Sequence, residues 1–242
     1  MQEKDLSKKQ EVIEDYYDEY VEFQKNIGVN ARHYSILEKL KAAGLNGKDN
    51  VLEIGCGIGT FSGLLSRAVP NGHVTAMDIS GASIQYANDT NTLKNITYIH
   101  ADAANHNYND TKFDVIVFPD VIEHIPVELH SQLFQKMSNI LKPNGFMFIH
   151  IPNPYYLQWC HENRPDLLQV IDQPITTDIL INNTYPHGLY IAELKSYAIW
   201  IKDHDYQYIV LKKNNHQDFT KNLEIKPTFM EKLKYKLNGR KK

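Results

Sequence analysis

Gly55, Gly57 and Gly59 follow directly on the apolar run Val51-Leu52-Glu53-Ile54, and a helical stretch opens at Phe61. Glycines at alternate positions let the backbone turn sharply and let a ligand approach closer than a Cβ would permit. A dinucleotide fingerprint would need a further glycine at position 60, where this chain has Thr60. Glu53, just before the turn, would repel a pyrophosphate and suits a ligand that carries cationic groups. Asp78 ends the next apolar run, Val74-Thr75-Ala76-Met77, where a carboxylate can accept hydrogen bonds from both hydroxyls of a ribose. The run after that ends in His100-Ala101-Asp102-Ala103, which places a side-chain oxygen where an adenine amino group would lie. Together the three elements describe an adenosine site.

The surroundings are those of an α/β fold. Short apolar runs at Val51 to Ile54, His73 to Ile79, Ile96 to His100, Phe113 to Phe118 and Phe146 to Ile151 alternate with helical stretches and lack strict polar alternation. That is the pattern of parallel strands buried on both faces, a doubly wound, mainly parallel, Rossmann-like sheet. Before them, residues 1–45 read as a helical cap. Val12, Tyr16, Tyr20 and Phe23 recur at helical spacing, more as a helix packing on the core than as a lid, and a second helix over 31–43 ends at Gly44. After them, residues 152–188 contain five prolines and read as an insertion over the cleft. A helix near Tyr190 to Lys202, a strand near Tyr206 to Lys212 and a weakly marked strand around Phe219 to Ile225 complete the core, and residues 227–242 form a basic tail. The expected organisation is one domain over 1–242, with the cofactor-binding core at 46–151 and the core's end at 189–226.

The 242 residues carry a formal charge of -3, so no overall positive field favours DNA or RNA. Cys56 and Cys160 are the only cysteines, too few for a disulfide scaffold. The start is charged throughout, without a stretch of signal-peptide length, and no segment is apolar enough to span a bilayer. A soluble, cytoplasmic protein is expected, with weak contact of the tail with a membrane surface as a minor alternative.

The ExGxGxG loop, the acid ending the second run, the AD pair, FDVIVFPDVIEHIP and LKPNGFMFIHIPNP together resemble the class I S-adenosylmethionine-dependent methyltransferases, specifically the ubiquinone-type small-molecule group. The resemblance covers roughly residues 31 to 212. It implies about seven strands with the last antiparallel, and S-adenosylmethionine as cofactor. By it, Glu53, Gly55, Cys56, Gly57 and Gly59 surround the methionine part, Asp78 and Ile79 hold ribose and adenine, and Asp102 and Ala103 meet the adenine. Pro119, Asp120 and Val121 stand beside the methyl group. Asn153-Pro154-Tyr155-Tyr156 resembles the NPPY signature of amino-methylating enzymes but follows strand five instead of strand four, so it carries no weight.

Methyl transfer to oxygen or nitrogen needs positioning and a proton acceptor. His124 is the leading general base, and His187 follows it. Asp120, Glu123 and His124 have the spacing of one helical turn and could share a divalent metal with His187. A similar acid-x-x-Glu-His group binds metal in small-RNA 3′-terminal 2′-O-methyltransferases. Arg32 and His33 are within reach of a cofactor carboxylate or stay on the surface, and Tyr155, Tyr156 and Trp159 line an acceptor pocket or anchor the insertion. The leading expectation is methylation of a small-molecule, sugar or lipid-linked acceptor. Metal-dependent RNA 2′-O-methylation and a non-catalytic adenosine-binding module are the alternatives.

Overall fold

The computed structural model describes residues 14–214. The strand expected around Phe219 to Ile225 and the basic tail at 227–242 lie outside the described residues, as do residues 1–13 of the expected cap. Residues 14–19 are helical, and α1 (Val21–Ile27) and α2 (Ala31–Ala43) complete the cap. Asn30 caps α2 by accepting from the Arg32 N–H, and His33 closes the capping box from the other side.

Strands and helices then alternate: β1 (Asn50–Ile54), α3 (Thr60–Ala68), β2 (His73–Asp78), α4 (Gly81–Thr90), β3 (Ile96–His100), β4 (Phe113–Pro119), α5 (Val127–Ile140) and β5 (Leu141–Pro152). α6 (Pro154–Asn163), α7 (Thr177–Thr184), β6 (Leu189–Tyr197) and β7 (Tyr206–Lys213) follow. The seven strands form one sheet in the order β3-β2-β1-β4-β5-β7-β6, parallel except for β7, which runs antiparallel to both β5 and β6.

Successive residues of the central strands face opposite sides of the sheet. Val51, Val74, Val115, Val117, Phe146, Phe148 and Val210 pack beneath Ile36 and Leu40 of α2 and Leu65 of α3. Leu52, Ile116, Phe118, Met147, Ile149 and Leu211 pack beneath Leu133, Phe134 and Met137 of α5. Both faces are covered, which is why these runs are mostly apolar and lack strict polar alternation.

Two expectations are corrected. The segment expected as a helix at 190–202 is the edge strand β6 followed by a loop. Ala192-Glu193-Leu194-Lys195 are good helix formers, but pairing with β7 along Leu189 to Tyr197 overrides that local preference. Mostly exposed, β6 also lacks the apolar face that would have marked it as a strand. The stretch 152–188 is only partly an insertion. A parallel β5-to-β6 connection must return along the sheet, and α7 is that crossover helix, with Leu180 buried against the α5 layer. The part before it is the addition, and Asn153-Pro154-Tyr155 there is a helix start: Asn153 accepts from the Tyr155 N–H and Pro154 occupies the first turn.

Candidate functional site

A cavity of about 260 Å³ opens at the carboxyl ends of β1, β2, β3 and β4, the usual ligand position in open α/β sheets. Each glycine of the β1 turn is in the left-handed region, with φ of 74° at Gly55, 51° at Gly57 and 82° at Gly59. Gly55 is also hemmed in, because a Cβ there would lie 2.3 Å from Val121 Cγ2. Gly55, Cys56 and Gly57 line the cavity; Gly59 does not, and instead turns the chain into α3 beneath the Tyr98 hydroxyl.

The acids stand around this loop. Asp78 accepts from the Gly57 N–H at 2.7 Å and the Ser80 N–H at 2.9 Å, so it ties the glycine turn to the turn after β2. Burial pushes its carboxyl up, opposed by those N–H donors. Asp102 accepts from the Ala104 N–H at 2.9 Å. Asp78, Ile79, Asp102 and Ala103 all line the cavity. Glu53 lines it too, fully buried, with neither carboxylate oxygen hydrogen-bonded. Burial pushes Glu53 up to about 8, and the Asp78 charge adds to it. A buried carboxyl without a partner costs free energy until a donor reaches it.

Strand four delivers Pro119, Asp120 and Val121 to the same cavity. Asp120 has φ of 59°, a left-handed conformation rare outside glycine and concentrated at functional sites. Its carboxylate meets Arg32 Nη1 at 3.0 Å and His150 Nδ1 at 2.5 Å. Burial would raise the Asp120 pKa, but His150 and Arg32 outweigh it and hold the carboxyl below its usual range.

His124 sits in the 3-10 turn after β4 and lines the cavity. Its Nδ1 lies 2.5 Å from the Ile171 carbonyl oxygen and 3.3 Å from Asp172 Oδ1. A carbonyl only accepts, so in the neutral ring Nδ1 carries the hydrogen and Nε2, 3.8 Å from Glu123 Oε1, keeps its lone pair. Gln173 pins this loop to the turn: its N–H donates to the Glu123 carbonyl at 3.0 Å, and its amide donates to the Ile125 carbonyl at 2.8 Å.

The proposed metal set is not assembled. His187 follows α7 at the start of β6, and Leu189 pairs with Lys213 while Phe146 of β5 pairs with Lys212, so His187 lies at the end of the sheet opposite the cavity. There it hydrogen-bonds Ser131 at 2.9 Å, which also removes it as a base at this site. Asp120 is committed to Arg32 and His150. Glu123 is buried and does not line the cavity; burial, with Asp120 and Asp172 nearby, pushes it well up. Among the described residues no three His, Cys, Asp or Glu side chains form a group that could hold a metal ion.

The sequence reading missed several cavity residues. Tyr17, Tyr20 and Gln24 of the cap line the cavity, so the cap is part of the site and not only packed on the core. Gln24 Oε1 accepts from the Ile58 N–H at 3.3 Å, and Asp18 Oδ1 accepts from the Ala82 N–H at 3.1 Å. Phe23, in contrast, is half exposed. His33 lines the cavity, and its Nδ1 accepts from the Asn30 N–H at 3.1 Å; burial, with Arg32 beside it, pulls it down to about 4. Gln169 is the cavity's contribution from the added segment, whereas Tyr155 and Trp159 are largely exposed on α6. A histidine inside the apolar run of β5 was the one visible sign of His150.

Residues 51–145 match a family model described as a methyltransferase domain. The chain is similar to the ubiquinone biosynthesis O-methyltransferase of Pasteurella multocida, 28% identical over 173 residues that cover 65% of this chain and 67% of that protein. It is similar to the protein of the same name from Actinobacillus pleuropneumoniae, 33% identical over 129 residues that cover 47% of this chain and 49% of that one. The matched stretches thus span about half to two thirds of these relatives' length. Among solved structures, magnesium protoporphyrin IX methyltransferase from Synechocystis, with bound SAH, superposes with a TM-score of 0.64 at 16% identity, covering 84% of this chain and 98% of that one. The putative methyltransferase of Haloferax volcanii in complex with the Trm112 activator gives 0.67 at 16% identity, with coverage of 84% and 98%. Sheet order and glycine turn agree with the domain match over 51–145, and the chain has the fold of these solved methyltransferases.

Proposed function

We propose that the protein transfers a methyl group from S-adenosylmethionine to an oxygen atom of a small organic acceptor. The observation that carries this reading is that the ends of four adjacent strands bring the glycine turn, Asp78, Asp102 and Asp120 to one cavity. The donor set fits the cofactor. Asp78 faces a ribose, Asp102 and Ala103 an adenine, the unpartnered Glu53 carboxyl an ammonium, and Arg32 a carboxylate. The cofactor supplies a methyl carbon activated by its sulfonium, and displacement leaves a neutral thioether. His124 Nε2, the nitrogen with the free lone pair, accepts the proton of the attacking hydroxyl. Tyr17, Tyr20 and Gln169 close the cavity on the acceptor side and exclude water.

Oxygen as the methylated atom is supported by the O-methyltransferase names of several relatives and by a base placed at the end of β4. The acceptor belongs to the class of small metabolites. We read the whole chain as one methyltransferase unit acting in the cytoplasm; among the described residues no helix is long and apolar enough to cross a membrane. Calorimetric titration with S-adenosylhomocysteine tests the reading. The wild-type protein should bind, and Asp78→Ala should weaken binding by tenfold to a hundredfold, on the order of one or two hydrogen bonds to a charged group. A wild-type protein that binds no S-adenosylhomocysteine would sink the proposal.

A further inference from the structure

On the α2 side of the sheet β5 presents Phe146, Phe148 and then His150, which is fully buried. A polar ring in that layer is costly unless both nitrogens are satisfied. Both are. Nδ1 lies 2.5 Å from Asp120 Oδ1, and Nε2 lies 2.6 Å from the Tyr197 hydroxyl of β6. The Ser35 hydroxyl of α2 donates to the Tyr197 oxygen at 3.4 Å, and Lys39 Nζ sits 3.8 Å over the Tyr197 ring. With Nδ1 protonated every donor has an acceptor: Ser35 to Tyr197, Tyr197 to Nε2, and Nδ1 to the Asp120 carboxylate. Tyr206 of β7 stacks on the His150 ring at 4.9 Å.

The chain of contacts ends at Arg32, whose Nη1 is taken by Asp120 while Nε has no partner. The side chain keeps 32% exposure and lines the cavity beside Glu53 and Gly55. It therefore holds one side of its guanidinium fixed and has donors left for an anion.

We propose that His150 is a positioning residue for the amino-acid end of the cofactor. Held by Tyr197 behind it, it fixes Asp120 in its left-handed conformation, and Asp120 fixes the guanidinium of Arg32 toward the cofactor carboxylate. The inference rests on the cofactor reading above. It also accounts for a buried histidine that takes no part in proton transfer.

The test compares two ligands that share the adenosine part: S-adenosylhomocysteine, which carries the amino acid, and 5′-methylthioadenosine, which lacks it. His150→Phe keeps a ring to stack on Tyr206 and removes both hydrogen bonds. It should weaken S-adenosylhomocysteine about tenfold or more and leave methylthioadenosine within about twofold, the scale of one hydrogen bond to a charged group. His150→Asn restores a donor near the Nδ1 position and should return S-adenosylhomocysteine to within about threefold of wild type. Equal weakening of both ligands, or none, would overturn the proposal while leaving the cofactor assignment intact. If His150→Phe fails to fold, Tyr197→Phe, which removes the Nε2 partner, is read by the same ratio; an unchanged ratio overturns the proposal. Wild-type protein that binds neither ligand would refute the cofactor reading and this inference with it.

Discussion

Gly55→Ala tests whether the cofactor turn and the loop after β4 are built against each other. A Cβ at Gly55 would meet Val121 at 2.3 Å (Cγ2), 3.0 Å (Cγ1) and 3.2 Å (Cβ). The φ of 74° adds a penalty of about 1–2 kcal/mol for any side chain in the left-handed region. Overpacking against Val121 adds about 1–3 kcal/mol, so the single variant should lose about 2–5 kcal/mol. Val121→Ala alone removes two partly buried methyl groups, at about 1–2 kcal/mol. In the double variant both overlapping Cγ atoms are gone and the remaining Cβ contact at 3.2 Å needs only a shift of a few tenths of an ångström, so the conformational penalty and the lost methyls dominate. Its total should be about 2–4 kcal/mol, smaller than the sum of the single effects by the overpacking contribution of about 1–3 kcal/mol. Urea unfolding of the four proteins reads this coupling, and titration with S-adenosylhomocysteine should show the same partial rescue. Additivity within about 0.5 kcal/mol would refute the claim that these two loops are in steric register.

Two further outcomes follow from individual groups. Because burial holds Glu53 protonated to about 8, its folded-state pKa lies above the unfolded value, so its contribution is fully present below about pH 4.5 and is lost as pH rises toward 8. Glu53→Gln should flatten that decline in pH-dependent unfolding, and wild type should release a proton when S-adenosylhomocysteine brings its ammonium, seen as a buffer-dependent binding heat near pH 7. An unchanged pH profile, or no proton release, would contradict this assignment. His124 should appear as the Nδ1–H tautomer in imidazole nitrogen NMR spectra of the protein near neutral pH; a hydrogen on Nε2 would remove it as the proton acceptor.

Local patterns revealed the cofactor half of the molecule because each of its requirements is local. A turn tight enough for close approach needs glycine, a strand buried on both faces needs continuous apolar residues, and the acids of β2 and β3 follow those strands directly. The run 190–202 misled because it is amphiphilic and rich in helix formers, and only the partner strand β7 makes it a strand. His187 misled for a related reason. Its place in the chain, just before the last part of the core, says nothing about which end of the sheet it occupies, and the crossover helix carries it to the wrong end.

The sequence by itself determined the fold class, the cofactor turn and the acids at the ends of β2, β3 and β4, because backbone geometry at these points is set by neighbouring residues. Only the tertiary structure decided what completes the site: Arg32 facing Asp120, His150 behind them, and the Ile171 carbonyl that selects the His124 tautomer. Arg32 and Asp120 are 88 positions apart, and Asp120 and His150 are 30 apart. Contacts at such separations depend on sheet order and crossover placement, which no short-range pattern encodes.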